Sequence, residues 1–476
     1  MMFLILNLII EANYASYWEN IKSNRIFHLI LLFISFTLIG LIWTSNLDYA
    51  MHDFRVKLPL LVITTALASK PIQSKKQLHV ILTAFITSTT IISLINFSMY
   101  QHWIGNQVYD DIRGMSLFSS HIRYALSVSF SCAILLYFIV EVKRYIVLAL
   151  ALILWLVFYT YYSQVITGYL TLFGVFFVYS VYKFWPLNRI LISILSFGFV
   201  ATSSVFLFWL LNPITINQSD YQDLPRQTIE GEYYIDLFDV VSPITHKPIY
   251  IQVCEPELRR DWSLYSKIDF DSTDLKGQPI KGTIIRYMSS LDYPKDAEHL
   301  AMLTEDDIKN IEKGYPSRIN TGIMARLYGV KFQLNNETDP NNHSLLERLE
   351  YWKAGMNILS NNILIGVGTG DINDVFKTYY NQSNSLLTEE NRNRTHNMYL
   401  TVFITLGIFG IVLFILIQAY FIRLNFKKRD VLALSFIVLI LISFLIEDTL
   451  ETQTGITFYA LFLGLFSSKT PIKEFV

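Results

Sequence analysis

Long apolar runs separated by short clusters of lysine and arginine constrain this chain more than any other feature. Each run is close to the length of about 20 residues that a helix needs to cross a bilayer. Hydrophobic residues fill 52% of the 476 positions, and the mean hydropathy is +0.37. That excess is too large and too unevenly distributed for one soluble core. The pattern predicts an all-α polytopic membrane protein with about 10–12 transmembrane helices.

Ten runs are predicted to span the membrane, and residues 1–10 are an eleventh candidate. Residues 1–10 lack a basic start and a small-residue cleavage site, so they do not resemble a cleavable signal peptide. The run at 57–70 is the shortest, and Pro59 lies near its start. The ten predicted spans are 26–44, 57–70, 78–97, 121–141, 144–162, 165–182, 189–211, 398–422, 430–446 and 453–468.

The basic residues predict the orientation. If every run crosses once, most of the lysine and arginine clusters between spans fall on one side, which the positive-inside rule identifies as the cytoplasm. The polar interval then lies outside the cytoplasm. The predicted parts are N-terminal transmembrane helices (1–212), a periplasmic domain (213–396), C-terminal transmembrane helices (397–468) and a cytoplasmic tail (469–476).

The polar domain is predicted to be a large mixed helical/β loop domain. Residues 233–238 and 248–253 alternate like strands. Thr304 and Asp307 have capping-box spacing before a short helix, and Ser344 and Glu347 have the same spacing before a helix to about Leu359.

Charge and cysteine usage exclude some function classes. The net charge of -1 gives no basic face for a nucleic acid. Cys132 lies in an apolar run and Cys254 in the polar domain, so we expect no disulfide between them. The histidines of the polar domain lack the mutual spacing of zinc ligands, and we expect neither a metal nor a cofactor.

His396 is the candidate catalytic residue. It precedes the first apolar turn of the run at 398–422, beside Arg394 and Asn397, which we take as supporting residues. Imidazole can move a proton near neutral pH, and the helix N-terminus that follows favours the neutral, proton-accepting ring. The alternative is a capping or interfacial histidine.

Arg348 is the candidate anion-binding residue on the helix that begins at Ser344. No acid on its own helix lies three or four positions away from it, so it could grip a phosphate in a bidentate manner. The alternatives are a surface arginine or a pair with a distant acid. The apolar stripe of this helix is predicted to be Leu345, Leu349, Trp352, Met356 and Leu359.

Arg113 and Arg123 face the same compartment as the polar domain in the predicted topology. Arg113 suits the same anion-binding role, or a local ion pair with Asp110 or Asp111. Arg123 is a weaker candidate, because it could simply extend its side chain to the membrane interface.

A glycine-rich run and a group of acids complete the set. Gly366–Gly370, with Gly368 as a supporting site residue, predicts a tight turn that lets backbone approach a neighbour or a phosphate. Glu447, Asp448 and Glu451 lie in the loop before the last span; they could approach the site, but we expect them to be solvated.

These motifs together resemble a known family. Glu347-Arg348, Trp352 and the run to Gly370, followed by His396-Asn-Met-Tyr-Leu and Gly407-Ile-Phe-Gly410, are similar to the bacterial O-antigen ligase/polymerase superfamily. The resemblance covers residues 344–415; the segment 220–335 is an insertion whose role it does not assign.

The resemblance implies an inner-membrane glycosyltransferase with its active site on the periplasmic face. Its donor would be a glycan on undecaprenyl diphosphate, and its acceptor a hydroxyl of lipid A–core or another molecule. His396 would be the base, Arg348 and Arg113 would bind the diphosphate, and the transfer would invert the anomeric centre without a metal.

Two alternatives stay open. One is a sister enzyme of the same superfamily, either an O-antigen polymerase or a protein O-oligosaccharyltransferase. The other is a non-enzymatic polysaccharide transporter, which predicts charged residues along the span interiors; those interiors are nearly free of charge.

Overall fold

A computed structural model describes residues 2–72, 74–105, 112–143, 145–184, 189–320, 322–336, 339–341 and 343–467. The chain divides into two compact units. The first contains Met1–Ile194 and Glu347–Val476, and the second contains Leu195–Leu346. The two units are described separately below.

The N-terminal half of the chain forms nine helices within the described residues, and every predicted span up to residue 211 falls on one of them. Residues 57–70 belong to a longer helix in which Pro59 is internal. The helices are α1 (Met2–Glu11), α2 (Tyr14–Ser23), α3 (Arg25–Ile39, continued by a 3-10 turn Gly40–Trp43), α4 (Leu47–Ser69), α5 (Lys75–Tyr100), α6 (His121–Tyr137), α7 (Ile146–Ser163), α8 (Ile166–Phe184) and α9 (Arg189–Leu211).

The second unit has a helical core of its own. Its helices are α10 (Glu255–Trp262), α11 (Ile280–Ser290), α12 (Ala297–Leu300), α13 (Glu305–Glu312) and α14 (Gly322–Asn336). The capping box of Thr304 and Asp307 is confirmed at the start of α13. Trp262, Tyr287 and Met288 are fully buried in this core.

The predicted β content of this unit is wrong for the residues that the structure describes, where only isolated bridges occur. Ile235 pairs with Val253, and Val241 pairs with Pro248. A ladder cannot continue through Pro248, because proline has no N–H to donate. In addition, the Gln252 amide donates to the Asp236 carboxylate at 2.7 Å instead of to a partner strand.

The remaining helices return to the first unit: α15 (Ser344–Ser360), α16 (Ile372–Gln382), α17 (Met398–Lys428), α18 (Val431–Ile446) and α19 (Gln453–Ser467). Within the described residues, six helical stretches are long and apolar enough to cross a membrane, whereas α18 and α19 are apolar but shorter. This confirms an all-α polytopic membrane protein. The six stretches are Arg25–Trp43, Lys75–Tyr100, His121–Val142, Ile146–Ser163, Ile166–Lys183 and Met398–Lys428.

Small residues bring the apolar helices close together. Helix α4 packs along α19, and α8 packs along α18. A Cβ on Gly464 would lie 2.7 Å from Leu67, and one on Gly174 would lie 3.0 Å from Ile442. Lipid tails are as apolar as these side chains, so close packing rather than water exclusion stabilises such contacts.

The apolar stripe predicted for α15 is partly wrong. Leu349 and Met356 are exposed, and the buried face consists of Tyr351, Ala354, Gly355, Ile358 and Leu359. The reason is the neighbouring helix. A Cβ on Gly355 would lie 3.0 Å from both Thr395 and Leu400, so the smallest residues of α15 form its contact with α17.

Candidate active site

Three aromatic side chains hold the segment that carries His396. Trp352 of α15 donates from Nε1 to the Thr395 carbonyl at 2.9 Å. The Tyr351 hydroxyl donates to the Asn391 carbonyl at 2.7 Å, and the Tyr380 hydroxyl of α16 donates to the Asn393 carbonyl at 2.9 Å. The polar chain just before α17 is therefore fixed by hydrogen bonds to its backbone.

His396 itself has a left-handed backbone, with φ of +46°. Histidine is one of the few residue types that tolerate this conformation, and its surroundings must hold it there. Asn397 supplies part of that support as the N-cap of α17, where its side chain accepts from the Leu400 amide at 3.1 Å and donates to the Leu445 carbonyl at 3.1 Å. These contacts fix the start of α17 next to His396, and the supporting role of Asn397 at the site stays a prediction.

The carboxylate of Glu447 lies between His396, the candidate base, and Arg348, the candidate anion-binding residue. Arg348 donates from Nη2 to Glu447 Oε1 at 3.2 Å. The Nδ1 atom of His396 lies 3.5 Å from Glu447 Oε2, an ion-pair distance without hydrogen-bond alignment. The Glu447 side chain is only 8% exposed. The structure thus brings His396 and Arg348, which are far apart in sequence, to the same carboxylate.

Two opposing effects act on Glu447. Burial disfavours its charged form, but His396, Arg348 and Arg123 outweigh burial and hold the pKa of the carboxyl below its usual range. Glu447 is therefore a carboxylate at neutral pH. It gives the site one fixed negative charge near the guanidinium groups of Arg348 and Arg123.

The side chains around Glu447 keep buried nitrogen atoms without hydrogen-bond partners among the described residues. The Nε atoms of Arg348 and Arg123, and Nδ1 of His396, are buried and have no hydrogen-bond partner within the part of the chain that the structure describes. A buried donor without a partner is costly, so such groups commonly serve a bound ligand. An anionic ligand would satisfy the two arginines.

Arg123 also lines a cavity of about 200 Å³ between α5, α6 and the start of α19. Hydroxyl and aromatic side chains share this lining, so the cavity has polar and apolar walls. The lining residues are Phe85, Ser88, Thr89, Ile92, Phe118, Ser119, Arg123, Tyr124, Leu126, Ser127, Thr454, Gly455 and Phe458.

A second ionic cluster surrounds Glu451 and includes Arg394. Glu451 accepts from Arg394 Nη1 at 3.1 Å and from Lys57 Nζ at 2.9 Å, and Lys57 also pairs with Asp53. Arg394 further donates to the Tyr49 hydroxyl at 2.9 Å. Burial opposes the charge on Glu451, but Lys57 and Arg394 outweigh it and lower the pKa of this carboxyl.

The expectation that the acids of the last loop are solvated is wrong. Glu447 and Asp448 are buried, and the Glu451 side chain is 7% exposed. Asp448 accepts from the Thr401 hydroxyl at 2.6 Å, and burial raises the pKa of its carboxyl. The partners of these acids lie on α15, on α4, at the start of α17 and in the segment just before it, because the loop is folded against these elements.

The other predicted site residues have different placements. The backbone of Arg113 lies in a 3-10 turn, Ile112–Met115, but its side chain falls outside the described part of the chain. Gly368 donates from its amide to the Thr405 carbonyl at 3.1 Å, and its other close neighbours are Gly40, Trp43 and Thr44. The glycine-rich turn therefore approaches the backbone of neighbouring helices.

Sequence reasoning considered that Glu447 could approach the site but favoured a solvated side chain, and it assigned no partner to Lys57. Glu447 is the first polar residue after α18, in a loop that carries three acids and no lysine or arginine. Lys57 is the last basic residue before the apolar run that continues to Ser69. The available signal was the composition of this loop. Three acids without a lysine or arginine nearby indicate that their partners lie far away in sequence.

One comparison with known proteins matches this part of the chain. Residues 319–415 match the family model described as O-antigen ligase, which covers Arg348, the glycine-rich turn, His396 and the first part of α17. A search of curated proteins found no matching relative.

Proposed function

We propose that this multi-pass membrane protein, a member of the O-antigen ligase superfamily through residues 319–415, is a glycan ligase. It transfers a glycan from undecaprenyl diphosphate to a hydroxyl of lipid A–core. The reaction takes place at the periplasmic face of the bacterial inner membrane. The distribution of lysine and arginine between the spans supports this orientation.

The observation that carries the proposal is the shared contact of His396 and Arg348 with Glu447. With Nδ1 directed toward Glu447, the other ring nitrogen, Nε2, takes the proton of the acceptor hydroxyl. The carboxylate then stabilises the imidazolium that forms, as an acid partner does for a catalytic histidine. His396 is thus the general base, and Glu447 positions and stabilises it.

Arginines at the site favour a diphosphate leaving group. The acceptor oxygen bonds to the anomeric carbon while the bond from that carbon to the phosphate oxygen breaks, and the diphosphate leaves with the electron pair. Arg348 makes only one hydrogen bond to Glu447 and keeps a buried free donor, as Arg123 does. Both guanidinium groups can neutralise the departing charge. Arg113 joins them on the basis of the sequence pattern alone.

The experiment uses purified protein in nanodiscs with a lipid-diphosphate-linked glycan and lipid A–core. His396→Ala should lower the transfer rate by about 10²- to 10⁴-fold, which is typical of a lost general base. His396→Asn tests the same role with a residue that tolerates the left-handed backbone. Arg348→Lys should also transfer slowly, because lysine cannot replace a forked donor.

Lys353→Ala is the matched control, since Lys353 lies on the same helix and its side chain is 71% exposed. It should transfer at the wild-type rate, and a chelator should leave that rate unchanged. Wild-type transfer by both His396 variants would disprove the role of His396 as the general base.

The acceptor distinguishes the sister activities: transfer only to a second lipid-linked glycan would indicate a polymerase, and transfer only to a protein would indicate an oligosaccharyltransferase. NMR of the product should show the inverted anomeric configuration.

A further inference from the structure

The turn that follows α15 has an apolar tip that the described residues of the first unit leave uncovered. Ile363, Leu364 and Ile365 are 48%, 69% and 51% exposed. Three large apolar side chains in succession at an exposed turn are unusual in water. We propose that this tip inserts into the acyl-chain region of the membrane leaflet on the His396 side, and that Asn362–Gly370 is a shallow re-entrant segment.

The backbone of the turn and the backbone of α17 complete each other. Helix α17 is broken at Gly407, which has φ of +62° and ψ of -162°. The Ile404 carbonyl accepts from Val367 at 2.9 Å, and the Ile408 amide donates to the Ile363 carbonyl at 2.8 Å. These bonds replace bonds that the break removes from α17. Unpaired backbone groups cost several kcal/mol in lipid, so non-helical backbone is tolerated there only when protein satisfies it.

Glycines make this pairing close enough. An added Cβ would lie 2.4 Å from the Thr405 carbonyl oxygen at Gly366, and 2.4 Å from the Leu364 carbonyl oxygen at Gly407. Both glycines also have positive φ. The two backbones therefore touch without intervening side chains, which leaves no room for water between them.

Neighbouring helices give the depth of the tip. Phe33 and Phe36 of α3 pack against Phe414 and Phe409 of α17, so the two helices run antiparallel. A Cβ on Gly40 would lie 3.6 Å from Leu406, which places Gly40 near the level of Gly407. The 15 residues of α3 from Arg25 to Ile39 rise about 22 Å.

The hydrocarbon layer is about 30 Å thick. With Arg25 at one boundary, Gly40 and the Gly407 break lie roughly 8 Å inside the other boundary. That depth suits an apolar tip of three residues. It also leaves Asn361, an exposed polar residue two positions before the tip, near the headgroups.

The surface beside the tip identifies bilayer lipid as its partner. The neighbouring face of α17 exposes Phe409, Val412, Ile415 and Leu416, and α17 is a stretch long and apolar enough to span a membrane. The exposed tip continues this lipid-facing surface. The inference concerns membrane contact and is independent of the transfer reaction.

The test places single cysteines in a background of Cys132→Ser and Cys254→Ser, replacing the two cysteines of the chain. Leu364→Cys is labelled with an environment-sensitive fluorophore in nanodiscs, where both faces of the bilayer are accessible. Lys377→Cys, at an exposed position of α16, is the aqueous control, and Val412→Cys is the control within the span.

Fluorescence from Leu364→Cys should be quenched several-fold more than that from Lys377→Cys by lipids brominated near the headgroup end of the acyl chain. Lipids brominated deeper should quench Val412→Cys more strongly. Equal quenching of Leu364→Cys and Lys377→Cys by aqueous iodide, or no quenching of Leu364→Cys by any lipid, would overturn the proposal. Ile363→Cys repeats the measurement if the first variant does not fold. No outcome depends on enzymatic activity.

Discussion

At the scale of single residues, the charges of Glu447 and Glu451 are balanced by different partners. Glu447 meets Arg348 and His396, both of which take part in the proposed chemistry. Glu451 meets Lys57, which has no role in that chemistry, and Arg394, whose supporting role at the site stays a prediction. One acid therefore adjoins the reaction, and the other holds the chain two residues before His396.

Lys57→Met should destabilise the protein strongly. Removing this side chain leaves Asp53 and part of the Glu451 charge buried without a partner, and breaking a buried pair in this way costs about 3–5 kcal/mol. The measurement is the thermal unfolding midpoint in nanodiscs. Lys70→Met is the matched control, because Lys70 ends the same helix and pairs with Glu11 at an exposed site. Equal midpoints for the two variants would contradict the role of Lys57.

Acidification should remove the stabilising contribution of Glu447. Because the pKa of this carboxyl is lower in the folded protein than its ordinary value of 4.5, the contribution is complete above that pH and is lost as the pH falls through the folded pKa. Glu447→Gln should therefore unfold at a lower temperature than wild type at neutral pH. The difference should shrink well below pH 4.5.

Thermal unfolding of both proteins at several pH values checks this expectation. Glu305→Gln is the control, since the Glu305 side chain is 94% exposed and should give no such trend. A constant difference between wild type and Glu447→Gln across the whole range would contradict the lowered pKa.

His396 and Arg348 were predictable from sequence because each is a polar residue at a defined place on a helix or at its start. Their meeting point was not, because Glu447 lies 99 positions after Arg348. No local pattern records which of several loop acids turns inward. The pairing depends on how α18 and α19 join.

At the scale of elements, the break in α17 is a feature that the apolar composition of this helix does not predict. The run at 398–422 predicts one uninterrupted span, and the glycine-rich turn predicts a separate loop. The structure joins them, because the carbonyls released at Gly407 are the acceptors for the amides of Val367 and Gly368. A glycine motif predicts a close approach, but it cannot say which backbone approaches.

Gly407→Ala should therefore destabilise the first unit. Alanine would be strained at φ of +62°, and its Cβ would meet the Leu364 carbonyl oxygen. We expect a lower thermal midpoint and a lower yield of folded protein. Gly329→Ala is the control, because nothing lies within 4 Å of a Cβ there and alanine favours the helix α14. A Gly407→Ala midpoint equal to that of the control would contradict the strain argument.

At the scale of the whole molecule, hydropathy correctly predicted an all-α chain of apolar helices. The predicted number of about 10–12 spans was not confirmed, because only six helical stretches within the described residues are long and apolar enough to cross a membrane. The inserted unit was harder. Its strand-like alternation at 233–238 and 248–253 was real, but Asp236 and Pro248 divert or remove the hydrogen bonds that a ladder requires. Alternation of polar and apolar residues predicts an extended chain. Whether two extended segments pair in a sheet also depends on individual side chains, which the alternation does not reveal.

A fragment of residues 213–336 should fold by itself, because the inserted unit has its own buried core. Cys254 is its only cysteine and is fully buried, and burial raises the pKa of the thiol. The thiol should therefore resist a thiol-specific reagent in buffer and become reactive in one cooperative transition as urea is added. Immediate reaction without urea would show that the fragment does not fold alone.

The shortness of α18 has a consequence for access. Its 16 residues rise only about 24 Å, less than an average hydrocarbon layer of about 30 Å. The bilayer must thin around this helix or leave a depression at its end, as hydrophobic mismatch requires. The acids just after α18 then lie at the floor of a recess below the headgroups, so the lipid-borne donor of the proposed reaction reaches the site sideways from the bilayer.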